Sequence, residues 1–347
     1  MRIAVVLLNL GGPDSLDAVR PYLFNLFYDP AIMGLPNPLR YLAANILATL
    51  RGKKAREIFA KIGGASPILG ATIRQAGALE AELNRNSDDE HRVFISMRHW
   101  HPFAAETVEA VKEYAPDKII ILPLYPQFST TTTGSALSDW AQAAEQEGLI
   151  CITKRICCYF AEVDFIDIHA RLAWSVYKEA SAAGRKPRIL FSAHGLPESF
   201  VLNGDPYQFQ TEETVRMVVK RLEEISGERL DYALCYQSRV GIMKWLSPSI
   251  DAELERAAVD GLPVVVVPVS FVSEHSETLA ELDIKYKVQA AKLGLPGYYR
   301  VPALSLERGF IKSLAWLAEY TKRLPRKICS FEGVRSCPDE FTGCPNK

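Results

Sequence analysis

The feature that most constrains this chain is an alternation of short, continuous apolar runs with amphipathic stretches of helical length. The runs are Ile3–Leu8, Val93–Met97, Lys118–Leu122, Ile150–Cys157, Arg188–Ser192, Tyr232–Cys235 and Val264–Val269. Unbroken apolarity, rather than polar alternation, marks strands buried on both faces. Between them lie helix candidates at Ile73–Leu83, Ala104–Tyr114, Ser135–Glu147, Phe165–Ala180, Glu212–Glu224 and Glu274–Leu293. Strands of this kind separated by helices imply a parallel sheet covered on both sides, a doubly wound, Rossmann-like α/β fold.

Two pairs of segments resemble each other in the same order along the chain. Val5–Pro13 (VVLLNLGGP) is like Ile189–Pro197 (ILFSAHGLP), and Ile119–Ser129 (IIILPLYPQFS) is like Val264–Ser273 (VVVVPVSFVS). The repeat predicts two similar α/β domains, divided near residue 155 to 165. The expected organisation is a first half over 1–160, a second half over 161–310, and a helix with a cysteine-bearing tail over 311–347; the length of 347 residues agrees with two domains. Ligands of such sheets sit beyond the carboxyl ends of the strands. In the first copy the strand-end residue is Leu10; in the second it is His194. The loop after the later strand carries the hydroxyls of Ser129–Thr133 in the first copy, and Glu274, His275 and Glu277 in the second. The chemistry is therefore expected in the second half.

His194 is a base and a metal ligand with an ordinary pKa of about 6.5. A hydrogen-bonded histidine beside a turn is the commoner fate, but a strand end raises the interest. The run Ser273–Asp283 reads first as a capped helix start, since acidic residues in a first turn oppose the helix dipole favourably. Glu277 and Glu281, four apart, also share a face, and two carboxylates there suit a hard divalent cation. No run has the spacing of a complete protein metal cage, as expected where the last ligands belong to the substrate.

A net charge of −1 from 40 basic and 41 acidic residues gives no electrostatic pull toward nucleic acid. No apolar run is long enough to span a bilayer, and Met1–Leu8 reads as a first strand instead of a signal peptide. The expectation is a cytoplasmic protein, and its 7 cysteines are then not a disulfide framework. Cys329, Cys337 and Cys344 form a C-x7-C-x6-C pattern in a Pro/Gly-rich tail. Thiolates so spaced suggest an iron–sulfur cluster or zinc, with unligated thiols as the alternative. Cys235 reads as a small core residue.

The run Phe191–Pro197 (FSAHGLP), the run Glu274–Tyr286 and Leu8–Pro13 (LNLGGP) together resemble the ferrochelatase family. Supporting runs are Ile62–Ile68, Met97–Pro102, Tyr125–Ser129, Gly204–Tyr207 and Gln237–Gly241, so that the resemblance spans essentially residues 1 to 325. It implies insertion of ferrous iron into protoporphyrin IX, with the porphyrin bent in a cleft between two similar halves. It places His194 and Glu277 beside the pyrrole nitrogens, with His194 as proton acceptor or iron ligand. It makes Glu277 the metal-delivery ligand and relay, with Glu281 behind it. Leu10, Ser66, Arg98, Tyr125 and Trp245 match positions lining the porphyrin, although Tyr125 and Trp245 could equally be core aromatics. Some relatives continue the acidic face one turn further, where Lys285 stands here. Some members of the family carry a [2Fe-2S] cluster on cysteines of the tail, which the resemblance places here on Cys329, Cys337 and Cys344. The fourth ligand of some relatives corresponds to Thr130 here, which leaves Cys158 or Cys157 as candidates and Cys151 as a weaker one.

Residues Ala31–Leu50, apolar and punctuated by Pro36 and Pro38, match the lip of that cleft. This segment is expected either to rest on the inner-membrane surface or to pack on the core as a helix. A coproporphyrin ferrochelatase, a cobalt or nickel chelatase, and a non-catalytic haem or metal carrier are the other readings. Relatives that prefer coproporphyrin tend to have tyrosine at Leu10 and no cysteine tail; a carrier needs no base. The oligomeric state, a homodimer included, is left open by the sequence.

Overall fold

The computed structural model describes residues 1–182, 184–239, 241 and 243–346. Val240 of the Gln237–Gly241 run and Lys347 of the tail lie outside the described residues. The chain forms two compact units: Met1–Cys158 joined by Ile311–Ser336 and the chain end from Pro345, and Tyr159–Phe310 joined by Cys337–Cys344.

The first unit runs β1 (Arg2–Asn9), α1 (Val19–Tyr28), α2 (Asn37–Lys61), α3 (Ile68–Asn84), β2 (Glu90–Met97), α4 (Ala104–Tyr114), β3 (Lys118–Pro123), a short π-helical turn (Thr130–Gly134), α5 (Ser135–Gln146) and β4 (Ile152–Cys158). The second runs α6 (Val163–Ser181), β5 (Arg188–His194), α7 (Glu198–Leu202), α8 (Tyr207–Ser226), β6 (Tyr232–Gln237), α9 (Ile250–Val259), β7 (Val264–Pro268), a π-helical segment (Glu277–Tyr286), α10 (Lys287–Lys292) and β8 (Tyr298–Arg300). The chain ends with α11 (Arg308–Arg323) and β9 (Ile328–Ser330).

Both sheets are wholly parallel. The first has the order β2-β1-β3-β4-β9 and the second β6-β5-β7-β8. Ignoring β9, the order is the same in both: the first strand of each unit is flanked by its second and third. This matches the internal repeat expected from the sequence. Each sheet is buried as its apolar runs require: β1 is inaccessible from Ile3 to Leu7, and β7 from Val264 to Val267. On the first sheet Val6, Leu8, Ile119 and Ile121 pack with Val108 and Val111 of α4 and Trp140 of α5. On the second, Leu190, Val264 and Val266 pack with Leu254 of α9 and with Leu282 and Tyr286 of the π-helical segment.

All seven expected strands form, with ends shifted by a few residues. The unexpected β8 and β9 are only three residues each, too short for a periodic signal. The helix expected over 274–293 is instead a π-helical segment followed by α10. Its turns close through i→i+5 bonds, one residue wider than the α-helical pattern assumed from the sequence. Within Ala31–Leu50, the prolines do not interrupt a helix: α2 begins at Asn37 with a proline in its first turn, where a missing N–H costs nothing.

Candidate active site

His194 is the last residue of β5, and in the sheet register it lies opposite Gln237, the last residue of β6. Gly195 then turns the chain: a Cβ there would stand 2.6 Å from the Gln237 carbonyl oxygen, so only glycine fits. The His194 side chain remains 41% exposed while its neighbours are buried. Its Nδ1 lies 2.7 Å from Oε2 of Glu277, the first residue of the π-helical segment. His275 Nε2 is 3.8 Å from the same oxygen. Behind His194, the Tyr207 hydroxyl donates to its carbonyl oxygen at 3.0 Å and lies 2.9 Å from Ser270 Oγ.

Glu281 is joined to this pair through Gln237. The Ser192 hydroxyl donates to Gln237 Oε1 at 2.8 Å, which orients the amide. Gln237 Nε2 then donates to the Glu277 carbonyl and to Glu281 Oε2, both at 3.1 Å. Ser238, in the left-handed region at φ 61°, donates to the same Glu281 oxygen at 2.6 Å.

These contacts drive the two carboxyls apart. Burial pushes Glu277 upward, but the charge and hydrogen bond of His194, with His275, overcome it and hold Glu277 well below the usual range. Glu281 is raised, first by burial and then by the negative charge of Glu277, despite the Ser238 bond. For His194, burial disfavours the cation, yet Glu277 and Glu281 outweigh it and lift the pKa above 6.5. A pair of carboxyls with opposite shifts beside one histidine is the arrangement that separates a permanent anion from a proton acceptor. Gln237, Ser238 and Tyr207 were not singled out for this role by their types; only the placement of Gln237 at a strand end, as at His194, was a usable signal.

In the first unit, Leu10, Arg98 and Tyr125 follow the carboxyl ends of β1, β2 and β3. The backbone ties the first two together, with Arg98 N–H donating to the Asn9 carbonyl at 2.9 Å and His99 N–H to that of Leu10 at 3.0 Å. Ser66 lies against the turn that follows β1, so closely that a Cβ on Gly12 would come within 2.5 Å of its hydroxyl. The Arg98 guanidinium is held by Asp29 at 3.1 Å, by Asp139 at 3.5 Å and by the Ser135 hydroxyl at 2.6 Å. Trp245, in the second unit, bridges to Pro197. The structure thus gathers His194, Glu277 and Glu281 on the carboxyl edge of the second sheet, and Leu10, Ser66, Arg98 and Tyr125 around that of the first.

The cysteines behave differently. None of the seven forms a disulfide, and among the described residues no group of three or more His, Cys, Asp or Glu side chains could hold a metal ion. Cys158 ends β4, its sulfur 3.5 Å from that of Cys157. Cys329, on β9, is buried, which raises its thiol pKa against a bond from Thr321. In the second unit, Gln210 Nε2 lies 3.1 Å from the Cys337 sulfur, and Cys344 N–H donates to the Phe341 carbonyl at 3.0 Å. Of the expected cluster set, Cys157, Cys158 and Cys329 belong to the first unit, and Cys337 and Cys344 to the second. Cys235 is fully buried in the second core, as expected.

Comparison with known proteins follows the same line. The family model described as Ferrochelatase matches residues 2–321. The protein named Ferrochelatase from Wolbachia sp. subsp. Drosophila simulans (strain wRi) is 54% identical over 91% of this chain and 98% of its own length. That from Rickettsia bellii (strain OSU 85-389) is 46% identical over 99% of this chain and 94% of its own. Among solved structures, SirB from Bacillus subtilis with Fe3+ superposes with a TM-score of 0.51 at 13% identity, covering 93% of this chain and 96% of that one. The last likeness speaks for the fold alone.

Proposed function

The chain belongs to the ferrochelatase family, a lyase inserting ferrous iron into protoporphyrin, and from that premise we propose that His194 and Glu277 are the pair at which the pyrrole protons leave. Each iron that enters the ring displaces two protons, so a base must stand within reach of the nitrogens. With Nδ1–H donated to Glu277, neutral His194 keeps the Nε2 lone pair for a pyrrole proton, and the imidazolium formed is stabilised by the adjacent carboxylate. Glu281, whose carboxyl is raised, is the next acceptor and passes the proton outward. The 2.7 Å contact between His194 and Glu277 carries this reading. In this reading the final ligands of the iron are the pyrrole nitrogens of the substrate. Leu10, Ser66, Arg98, Tyr125 and Trp245 are proposed as porphyrin contacts on the family resemblance, supported by the strand-end placement of the first-unit residues.

The deciding experiment is an anaerobic assay with ferrous iron and protoporphyrin IX, run beside coproporphyrin III. Wild-type protein is expected to form haem from protoporphyrin. The His194→Ala variant should lose turnover while still quenching or shifting porphyrin fluorescence on binding. Substantial residual turnover in that variant removes His194 from the mechanism.

Two finer readings are separate proposals. A [2Fe-2S] cluster on the tail cysteines with Cys158 or Cys157 is supported by the cysteine pattern of the sequence. The visible spectrum and sulfide content of the resting protein test it, and a colourless, sulfide-free protein rejects it. Attachment to a membrane surface is supported by α2, which exposes Leu39, Leu42, Ile46 and Leu50 along one face. Among the described residues no helix is long and apolar enough to cross a membrane.

A further inference from the structure

The π-helical segment that carries Glu277 and Glu281 is a conformation rarely stable over more than a single turn, yet here it extends over 10 residues. Something outside it must hold it. One external anchor is Arg300, at the end of β8, which pairs with β7 opposite Val266. Its side chain is only 14% exposed and reaches two acids nine positions apart. Nε and Nη2 donate to the two oxygens of Asp283 at 2.6 and 2.8 Å, a forked pairing, and Nη1 donates to Glu274 Oε1 at 2.7 Å. The same Glu274 oxygen accepts the Ala303 N–H at 2.9 Å. Glu274 precedes the segment and adjoins His275; Asp283 lies within it. Glu277 and Glu281 fall between these anchors.

We propose that Arg300 is a positioning residue for the His194–Glu277 pair: it fixes the wide-turn segment at Glu274 and Asp283, and so holds the Glu277 carboxylate against His194. Arg300 touches neither residue, and its effect passes through the backbone between its two anchors. A guanidinium is suited to this because one rigid fork serves both acids; the point charge of a lysine cannot span them. The inference rests on the reading of His194 and Glu277 as the proton-transfer pair.

The test compares full-length Arg300→Lys and Arg300→Leu with Arg188→Leu. Arg188 is a buried clamp of similar make, held by Asp231 and Asp260 at 2.9 Å each, at the opposite end of the same sheet. Displacing a reacting group by an ångström can cost about a hundredfold in rate. Both Arg300 variants are therefore expected to lose about ten- to a hundredfold in kcat with little change in the KM for porphyrin. Arg188→Leu should lower the melting temperature and leave kcat unchanged. Asp283→Asn should give a loss that does not add to that of Arg300→Lys, because both break one link. Full kcat in Arg300→Lys overturns the proposal, as does a kcat loss in Arg300→Leu no greater than in Arg188→Leu. Should Arg300→Leu fail to fold, Arg300→Lys decides. Glu277→Gln, measured alongside, separates the two levels: if it stays fully active, the pair itself is misassigned. If it is inactive while Arg300→Lys is normal, only the positioning role falls.

Discussion

His194 sits under two opposed influences, burial against the cation and the Glu277 carboxylate in its favour, and the second wins. The sign of the consequence is fixed. A neutral amide in place of Glu277 cannot stabilise the imidazolium, so Glu277→Gln should move the His194 titration to lower pH. NMR of the imidazole ring across pH 4 to 9 follows this even in an inactive variant, and an unchanged midpoint would show the contact to be absent in solution. In the wild type, the rate should then rise with pH through a value above the ordinary histidine pKa, as the base becomes neutral. His194 was legible in the sequence because it ends an apolar strand before Gly195 and Pro197; Glu277 and Glu281 were legible from their spacing. Arg300 was not, since its partners at 274 and 283 belong to another element and nothing local marks it. Gln237 stood in a quoted run without a role, because an amide gains one only when β5 and β6 are side by side.

Among the elements, α2 is the one its sequence left between two readings, a helix resting on a membrane surface or one packed on the core. Its apolar residues at 39, 42, 46 and 50 are spaced for one helical face, and that face is exposed, with Leu50 73% accessible. Arg51, Lys53, Lys54 and Arg56 follow on the same helix, a composition that favours an anionic lipid surface. Leu42→Ser with Ile46→Ser should reduce co-sedimentation with anionic vesicles several-fold while leaving the melting temperature within a few degrees. Equal sedimentation would dismiss the lipid reading. Strands were read well because buried runs of Val and Ile leave little choice of structure. The π-helical segment was not, since its period departs from that of an α-helix by less than a short stretch of side chains can reveal.

At the scale of the molecule, the repeated strand order was foreshadowed by two pairs of similar strand–turn segments. The fifth strand of the first sheet was not, as β9 is three residues drawn from the tail. It pairs with β4 through Arg155 opposite Ile328 and Ile156 opposite Cys329. Lys154 Nζ also donates to the carbonyls of Leu324, Pro325 and Arg326 at 2.7 to 3.0 Å, and α11 places Leu314 and Leu317 in full burial. A chain stopped after Phe310 should therefore lose hydrogen-exchange protection at β4 and β1 while β5 and β7 keep theirs. Equal loss in both sheets would mean that they unfold as one unit. The same connectivity bears on how the protein is made. On the ribosome the half begun first is finished last: β4 emerges with a bare edge and waits through more than a hundred and fifty further residues for its partner. Parallel edges left open are where nascent chains pair wrongly, so the speed of translation across the second unit sets how long that edge stays exposed.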